Sequence, residues 1–422
     1  MNTSDRFDRN VSDWLHADAE HRVPQHLDAV LRRTRTERQR PAWSSLERWL
    51  PVHTTLRLAP APRLAWALAI VILMLAIVAA GLLVASRQRL PAPFGPARNG
   101  AIVSSHDGDI YAIDAMTHDA RVIVGGDPFD FAPTFSRDGT KMLFLRSLGT
   151  PATDPRLVLS IANVDGTGVR GLTPSLIGLD WFDWSPDGKQ IAFISRTTGS
   201  GPGLINIANV DGSGLKTLDV GRPAHFVSWL PPEGREIVFR GEQLSASDPA
   251  PGIFAVHPDG TGLRELSTRP PTGKFDFQSP AVSPDGSRVS YTGADAIGRV
   301  HVLDLGTGLD HVLPQPAEAT DQVGVANFSP DGRSIVYVRF YADKTYQLVV
   351  AAADGSGTGT PLGPRPSLPS GDVNYVFTPD GSAVVVDYDV EKAARLLPVD
   401  GTAGSVFGTG TFAFADVQRL AP

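Results

Sequence analysis

The sequence predicts an all-β fold, a seven-bladed β-propeller with six blades as the alternative, preceded by one transmembrane helix and a short α-helical N-terminal segment. Three features predict it: a motif that recurs through the last three quarters of the chain, short apolar runs around each copy, and one long uncharged stretch ahead of them. The predicted domains are a helical segment at 1–63, a transmembrane helix at 64–86, a Pro-rich linker at 87–98 and the propeller at 99–422.

The recurring motif places an Asp-Gly pair between two apolar runs, as in WSPDGKQIAF, which begins at Trp184. Close variants begin at Phe135, Val282, Phe328 and Phe377, and a degenerate copy, WLPPEGREIVF, begins at Trp229. Successive copies lie 46 to 52 residues apart. A period of this length, built from short strands, is typical of propeller blades rather than helical solenoids.

Each Asp-Gly pair is interpreted as the corner of a hairpin. Proline presets the turn, glycine supplies a positive φ, and the aspartate side chain accepts hydrogen bonds from nearby backbone N–H groups. The predicted turn residues are Asp138, Gly139, Asp187, Gly188, Asp285, Gly286, Asp331, Gly332, Asp380 and Gly381. A calcium loop of the EF type needs oxygen ligands at alternate positions and a terminal Glu, which these strings lack. No metal site and no cofactor are therefore predicted.

A second corner recurs later in each repeat, for example at Asn163–Gly168 and Asn209–Gly214. Each repeat thus contains four strands and two tight turns, which is the content of one blade. Ahead of the six full repeats, residues 100–126 supply three strands, and Phe412–Leu420 forms a lone strand after the last repeat. If this C-terminal strand completes the first blade, there are seven blades; otherwise there are six and a cap.

These repeats resemble the WD40-like PD40 repeats of the TolB-type β-propeller family, whose hallmark is the string W-S-P-D-G-x-x-I-A-F. The resemblance covers residues 99–422 and implies a propeller with a protein partner. It implies little more about function, because propellers carry binding, scaffolding and catalysis alike.

The sequence predicts no enzymatic activity. The α/β-hydrolase domain that accompanies some propellers requires a G-x-S-x-G string, and none occurs here. The chain has no cysteine, which excludes thiolate catalysis and Cys-type zinc sites. A convergent set of carboxylates at the centre of the propeller is not excluded by the sequence, so a propeller enzyme is kept as an alternative.

Charge is distributed unevenly along the chain. Residues 1–63 contain 11 Lys and Arg against 8 Asp and Glu, whereas residues 90–422 contain 25 against 37. Nucleic-acid binding needs a basic surface, so an acidic propeller is a poor candidate for it. No nucleic-acid partner is predicted.

The stretch Leu64–Ala85 contains neither a charged residue nor a proline. As a helix it would measure about 33 Å, enough to cross a bilayer core of about 30 Å. Eight arginines precede it between residues 32 and 63, and three follow it before the propeller. This bias predicts a single-pass protein of the cell membrane with a cytoplasmic N-terminus and an extracytoplasmic propeller.

In residues 1–63, apolar residues recur at helical spacing. This pattern predicts two short amphipathic helices, with apolar faces that begin at Phe7 and Val23. They form either a hairpin beside the bilayer or a segment that binds a cytoplasmic regulator. The layout resembles that of membrane-bound anti-sigma factors, although the zinc-binding His-x₃-Cys-x₂-Cys string of many such proteins is absent. His16, His21 and His26 share no helix face and are interpreted as solvated.

The candidate binding site lies where the second strand of several repeats ends. Arg146, Arg240 and Arg339 occupy such ends, with Tyr341 nearby, and the long, variable loops follow them. The arginines would attract a carboxylate or an acidic peptide; the alternative is that they form ordinary salt bridges between blades.

The predicted function is binding of a protein or small ligand by a membrane-anchored extracytoplasmic propeller, with transmission of a signal to the cytoplasmic helices. The alternatives are a passive envelope or surface scaffold and a propeller enzyme.

Overall fold

Thirty β-strands occupy the part of Gln88–Pro422 that this computed structural model describes. The chain divides into this unit and a second one, Met1–Arg87, and each is described by itself. The described residues are 71–74, 91–149, 156–196, 198, 202–242, 252–267, 280–292, 298–316, 319–322, 326–367, 373–388, 393–409 and 413–421.

In the unit Met1–Arg87, residues 71–74 are helical, and the rest of the predicted span and the predicted helices at 1–63 lie outside the described residues. Four residues form about one turn, roughly 6 Å long. Over the described ranges, no helix reaches the length and apolar character needed to cross a membrane. This finding corrects both the predicted transmembrane helix at 64–86 and the predicted location in the cell membrane.

The first sheet joins the two ends of the strand-rich unit. Its strands, numbered in chain order, are β1 (Arg98–His106), β2 (Asp109–Ile113), β3 (Ala120–Val124) and β30 (Ala413–Leu420), in the order β3-β2-β1-β30. β30 runs antiparallel to β1, with Ile102 opposite Val417 and Val103 opposite Asp416. The last strand therefore pairs with the first repeat, as the sequence predicts, and covers an edge that would otherwise be open.

The second sheet contains nine strands because a short strand joins two repeats. The nine are β4 (Phe129–Phe135), β5 (Lys141–Ser147), β6 (Arg156–Asn163), β7 (Arg170–Gly171), β8 (Leu176–Ile177), β9 (Phe182–Trp184), β10 (Gln190–Arg196), β11 (Gly203–Asn209) and β12 (Lys216–Leu218). In β8, Ile177 pairs with Arg156 of β6 and with Arg196 of β10. The two repeats thus share one continuous ladder.

Four further sheets follow, each antiparallel and each built from one repeat. The third contains β13 (Ala224–Trp229), β14 (Ile237–Gly241), β15 (Gly252–Val256) and β16 (Arg264–Ser267). The fourth contains β17 (Ala281–Val282), β18 (Arg288–Thr292), β19 (Val300–Asp304) and β20 (Asp310–Val312). The fifth contains β21 (Ala319–Gln322), β22 (Asn327–Phe328), β23 (Ser334–Tyr341), β24 (Tyr346–Ala352) and β25 (Thr360–Leu362). The sixth contains β26 (Asn374–Phe377), β27 (Ala383–Tyr388), β28 (Ala393–Pro398) and β29 (Ser405–Thr409).

The fold is all-β and propeller-like, but the predicted fold class is wrong as it was stated. The strands described here form six sheets, not seven separate ones, because β8 bridges two repeats. These six sheets do not match the six-bladed alternative either, since one of them contains two repeats. The predicted transmembrane helix is likewise not found in the part of the chain that the structure describes.

The sheets are buried on both faces, as the second sheet shows. In β10, Ile191 and Phe193 pack with Leu143 and Leu159 of the repeat before it. The alternate residues Ala192 and Ile194 pack into a different cluster, formed with the repeat that follows. Successive side chains of a strand point to opposite faces, so a strand buried on both sides reads as a nearly continuous apolar run.

The Asp-Gly corners are hydrogen-bonded turns. In the first of them, Asp138 Oδ1 accepts hydrogen bonds from Ser136 Oγ at 2.6 Å, Thr140 N at 3.0 Å and Thr140 Oγ1 at 2.8 Å. The five corner glycines, Gly139, Gly188, Gly286, Gly332 and Gly381, have φ between +67° and +74°. Gly286 is also required for space, because a Cβ there would lie 1.9 Å from the carbonyl oxygen of Pro231 in the preceding repeat.

We expect Asp138→Ala to lower the free energy of unfolding by about 2 kcal/mol, because three hydrogen bonds within the corner are lost. The matched control is Asp138→Asn, whose amide oxygen can still accept some of them, and its loss should be smaller. Urea denaturation of both variants measures the difference. Equal stability of wild type and Asp138→Ala would contradict this account of the corner.

The corner carboxylates also predict a dependence of stability on pH. Burial raises the pKa of Asp138, but the hydrogen bonds from Ser136 and Thr140 outweigh it, so that the pKa lies below its ordinary value of 3.8. A carboxylate with a lowered pKa stabilises the fold above pH 3.8, and this contribution is lost as the pH falls through the lowered pKa. The stability difference between wild type and Asp138→Asn should therefore shrink on acidification. A difference that stays constant or grows would oppose this assignment.

Candidate functional site

One cavity of about 480 Å³ is lined by the inner strands of all the sheets, and we call it the central cavity. The strands that contribute to it are β4, β9, β13, β17, β22, β26 and β30. Every repeat therefore presents part of its first strand to the same space, which makes this cavity the natural place to look for a site.

The residue just before the first residue of each corner motif lines the central cavity in every repeat. These residues are Asp416, Thr134, Asp183, Ser228, Ala281, Asn327 and Val376, in order from β30 through β26. Carboxylates at this position alternate with hydroxyl side chains in four consecutive repeats. This position of the cavity wall therefore differs in side chain from one repeat to the next.

Asp183 joins its own repeat to both of its neighbours. Its Oδ1 accepts a hydrogen bond from Arg137 Nη2 at 2.9 Å. Its Oδ2 accepts from Ser228 Oγ at 3.0 Å and from the backbone N of Trp229 at 2.9 Å. With only 16% of its side chain exposed, Asp183 is a nearly buried carboxylate that is neutralised by an arginine.

Asp416 repeats this arrangement one step around the cavity. Its Oδ2 accepts from Thr134 Oγ1 at 2.9 Å and from the backbone N of Phe135 at 2.8 Å, and its Oδ1 accepts from Val417 N at 2.8 Å. Burial raises the pKa of Asp416 even though these hydrogen bonds and the charge of Arg137 act in the opposite direction. The carboxylate of one repeat thus holds the hydroxyl and N–H of the next.

Two arginines stand at the corner end of the central cavity. Five repeats place a proline at this position of the motif, and four of these prolines line the cavity: Pro231, Pro284, Pro330 and Pro379. Arg137 and Arg419 take the equivalent places in their own repeats and also line the cavity. Burial and the neighbouring charge of Arg137 lower the pKa of Arg419.

The chain segment that leads into β1 lies across this end. Arg419 Nη2 donates hydrogen bonds to the carbonyl oxygens of Ala92 at 3.1 Å and Gly95 at 2.6 Å. The guanidinium carbon of Arg137 lies 5.2 Å from the centre of the Phe94 ring. The two arginines therefore hold residues 92–95 over the corner end of the cavity.

The opposite end is formed by the beginnings of the inner strands. There Asp180 and Trp181 line the cavity, and Arg196 Nε donates to Asp180 Oδ2 at 2.6 Å. Trp181 meets the Phe226 ring edge-on at 5.2 Å, and Phe226 has φ +53° within a bulge of β13. Aromatic and charged groups thus meet at this mouth.

His225 and Glu242 of the next repeat form a group of ionisable side chains beside this mouth. His225 Nε2 lies 3.2 Å from Glu242 Oε2, and His225 Nδ1 lies 3.4 Å from Arg196 Nη2. The hydrogen bond from His225, together with the charges of His225, Arg240 and Arg196, lowers the pKa of Glu242 although burial acts to raise it.

The structure places the four residues predicted for binding away from the central cavity lining and gives each a separate partner. Arg146 makes a bidentate ion pair with the buried Asp130, at 2.8 and 2.7 Å, and Arg240 Nη2 lies 3.5 Å from Glu242 Oε1. Arg339 donates to Tyr337 Oη at 2.7 Å and Thr358 O at 2.9 Å. The ring of Tyr341 is covered by Arg365 at 3.5 Å. Their role in binding stays a prediction.

Most of the long loops predicted for recognition fall outside the described residues. This applies to 150–155, 243–251 and 293–297, and to parts of the loops at 196–203 and 387–392. The loop Phe340–Tyr346 is described; it is a tight turn in which Tyr341 N donates to Thr345 O at 3.0 Å.

Sequence reasoning missed the polar groups of the cavity wall. Asp183 stands in the run DWFDW ahead of its corner, and Arg137 replaces the proline of the S-P-D-G string. Alignment of the repeats on their corners would have exposed both as departures at positions that face the centre. In the described part of the chain, no group of three or more His, Asp or Glu side chains could hold a metal ion.

No family model matches the chain. The periplasmic gluconolactonase of Pseudomonas aeruginosa has a similar structure, with a TM-score of 0.53 at 15% identity over 76% of this chain and 99% of that one. An oligogalacturonate lyase in complex with manganese gives a TM-score of 0.52 at 16% identity over 69% of this chain and 82% of that one. At such identities these likenesses concern the fold alone.

Two curated proteins match part of the sequence. A TolB homolog of Chlorobium luteolum is 32% identical over 140 residues, which cover 32% of this chain and 27% of the homolog. The fold is TolB-like. An uncharacterized protein of Agrobacterium fabrum is 26% identical over 172 residues, or 38% of this chain and 55% of that protein. The matches of this TolB-like chain thus span about a quarter and about half of these relatives.

The prediction that the protein is not an enzyme is corrected by these comparisons. A lyase and a lactonase have the same kind of fold at low identity, so the lack of a hydrolase domain is no ground for excluding catalysis. A TolB-like propeller is compatible with catalysis and with binding, and the side chains of its own site must decide between them.

We expect Asp183→Ala to lower the free energy of unfolding by about 3 kcal/mol, because it leaves the buried Trp229 N–H without an acceptor and removes the partner of Arg137. Ser228→Ala is the matched control: it removes one hydrogen bond to the same carboxylate and should cost about 1 kcal/mol. Urea denaturation measures both values. The proposed joint between repeats fails if the two substitutions cost the same.

Proposed function

We propose that this protein is a binding protein whose propeller takes up a protein segment or a small ligand in its central cavity. The observation that carries the proposal is the cavity itself, about 480 Å³ in volume, to which the inner strand of every repeat contributes. Cavities that bind ligands are concave, largely apolar and furnished with a few placed polar groups.

The lining supports binding better than a passive scaffold. Trp181, Phe182, Phe328 and Tyr375 supply apolar surface, while Asp183 and the arginine pair supply charge. Burying ionisable groups opposes folding unless each is paired, and Nε of Arg137 and Nε of Arg419 have no acceptor among the described residues. The mouth at Trp181 is the end that residues 92–95 do not cover, and a ligand would enter there.

Two parts of the sequence-based hypothesis fall outside the structural evidence. Binding of a regulator by residues 1–63, and a signal passed between that segment and the propeller, concern residues that the structure does not describe. They form a separate hypothesis, which is tested by comparing the partners retained by the full chain with those retained after deletion of residues 1–63.

Filling the cavity tests the proposal. Ala281 of β17 lines the cavity without a side-chain hydrogen bond, so Ala281→Trp should block the space while leaving the corner and the ladder intact. The matched control is Ala120→Trp on the exposed strand β3. Native mass spectrometry and cross-linking of the full chain, after purification from its own cells, identify what is bound.

We expect a bound molecule or partner to be retained by wild type and Ala120→Trp and lost from Ala281→Trp. Retention by all three, with thermal stability unchanged, would place binding elsewhere on the protein. A lack of any bound molecule in wild type would favour the scaffold instead.

A further inference from the structure

The corner end of the central cavity differs from the rest of its wall in charge. Arg137 and Arg419 stand in adjacent repeats at the position where the five other repeats place a proline. Proline provides rigidity there and no donor, whereas arginine provides a fork of N–H groups and a fixed positive charge. The two arginines therefore place positive charge and hydrogen-bond donors at a position where the other repeats have neither.

The guanidinium groups of Arg137 and Arg419 each keep an N–H group without a hydrogen-bond acceptor among the described residues. Arg137 is paired with Asp183 at 2.9 Å, but the hydrogen bonds of Arg419 go to the carbonyl oxygens of Ala92 and Gly95. Among the described residues, Nε of Arg137 and Nε of Arg419 are buried without an acceptor. Such groups in a native structure call for an explanation.

Asp416, three residues before Arg419 on β30, is already occupied. Its two oxygens accept three hydrogen bonds, from Thr134 Oγ1, Phe135 N and Val417 N. Asp183 likewise accepts from Ser228 and Trp229 in addition to Arg137. Both carboxylates are therefore committed to the joints between repeats, and within the described ranges the hydrogen bonds of Arg419 go to carbonyl oxygens and not to a carboxylate.

Residues 92–95 make this end of the cavity blind. Phe94 lies beneath the guanidinium of Arg137, and the carbonyl groups of Ala92 and Gly95 are tied to Arg419. A ligand that enters at Trp181 would therefore meet the arginine pair at the far end, where the guanidinium groups can form charge-assisted hydrogen bonds with an anionic acceptor.

We propose that Arg419 and Arg137 form the recognition site for a carboxylate group of the ligand at the blind end of the central cavity. This proposal rests on the proposed function, because it requires that the cavity is occupied. A singly charged, planar carboxylate fits the guanidinium fork. A phosphate would bring two negative charges close to the Asp416 carboxylate on the same wall, whereas each carboxylate group brings only one.

The carboxylate can belong to a peptide C-terminus or to a small organic acid, and the experiment separates these sources. The probes are the tripeptide Gly-Gly-Phe as free acid and as C-terminal amide, gluconate and succinate as small acids, and inorganic phosphate. Each is titrated into the full chain, and the fluorescence of the cavity tryptophans Trp181 and Trp229 and the unfolding temperature are followed. The variants are Arg419→Gln and Arg137→Gln, with Arg121→Gln on the exposed part of β3 as the matched control.

We expect at least one carboxylate probe to bind wild type and Arg121→Gln equally and to bind Arg419→Gln about tenfold more weakly, with phosphate ineffective. Preference for the tripeptide acid over its amide identifies a peptide C-terminus, and preference for gluconate or succinate identifies a small acid. If Arg137→Gln unfolds because Asp183 loses its partner, Arg419→Gln alone decides the outcome.

Equal binding of a carboxylate by wild type and Arg419→Gln would overturn the proposal, as would no binding of any carboxylate up to its solubility limit. Equal binding of the tripeptide acid and amide would overturn it if neither small acid binds. These outcomes are distinguishable from failure of the proposed function. If Ala281→Trp loses the natural ligand while Arg419→Gln keeps it, the cavity is the site and the arginines are not.

Discussion

The sheets of this protein are apolar on both faces, and the need to bury both faces is the constraint on which the rest of the structure depends. Ile191 and Phe193 of β10 fill one interface and Ala192 and Ile194 the other, so that the strand contributes to two cores at once. A sheet that is apolar on both sides is stable only between two neighbours, which is why repeats of this kind are found together and not singly. The pairing of β30 with β1 follows from the same need, since the first repeat lacks an inner strand of its own.

The central cavity is a consequence of this packing. Inner strands that approach one another around a common centre leave a space that their side chains line without filling it. Polar groups in that space have to be paired, and the carboxylates of Asp183 and Asp416 are paired in the same way: each accepts the hydroxyl and the backbone N–H of the next repeat. The wall of the cavity and the joint between repeats are thus built from the same side chains.

Two arginines at the ends of second strands do not line the central cavity; they form ion pairs with aspartates. Arg146 pairs with Asp130 and Arg196 with Asp180, in each case within one repeat. The Asp130 carboxylate is fully buried, and a buried carboxylate without its arginine would oppose folding. Both pairs lie within one repeat, whereas the salt-bridge alternative placed them between blades, so the role of the strand-end arginines in binding stays a prediction. The mouth of the cavity, at Trp181 and Asp180, combines such a pair with aromatic surface.

The strand content, the period, the two tight corners of each repeat and the pairing of the last strand with the first repeat could be predicted from the order of the amino acids. These features are local, or follow from the need to cover an open edge, so the residue types at each position are sufficient to predict them. The tertiary structure alone decided that β8 joins two repeats into one sheet, and that Asp183, Asp416, Arg137 and Arg419 meet around one cavity. Residues far apart in the chain come together there only because the repeats curl around a common centre, and a period read along the chain contains no measure of that curvature. For the apolar stretch at 64–86 the prediction from sequence was wrong. Its hydropathy and length fitted a membrane span, but no helix among the described residues is long and apolar enough to form one.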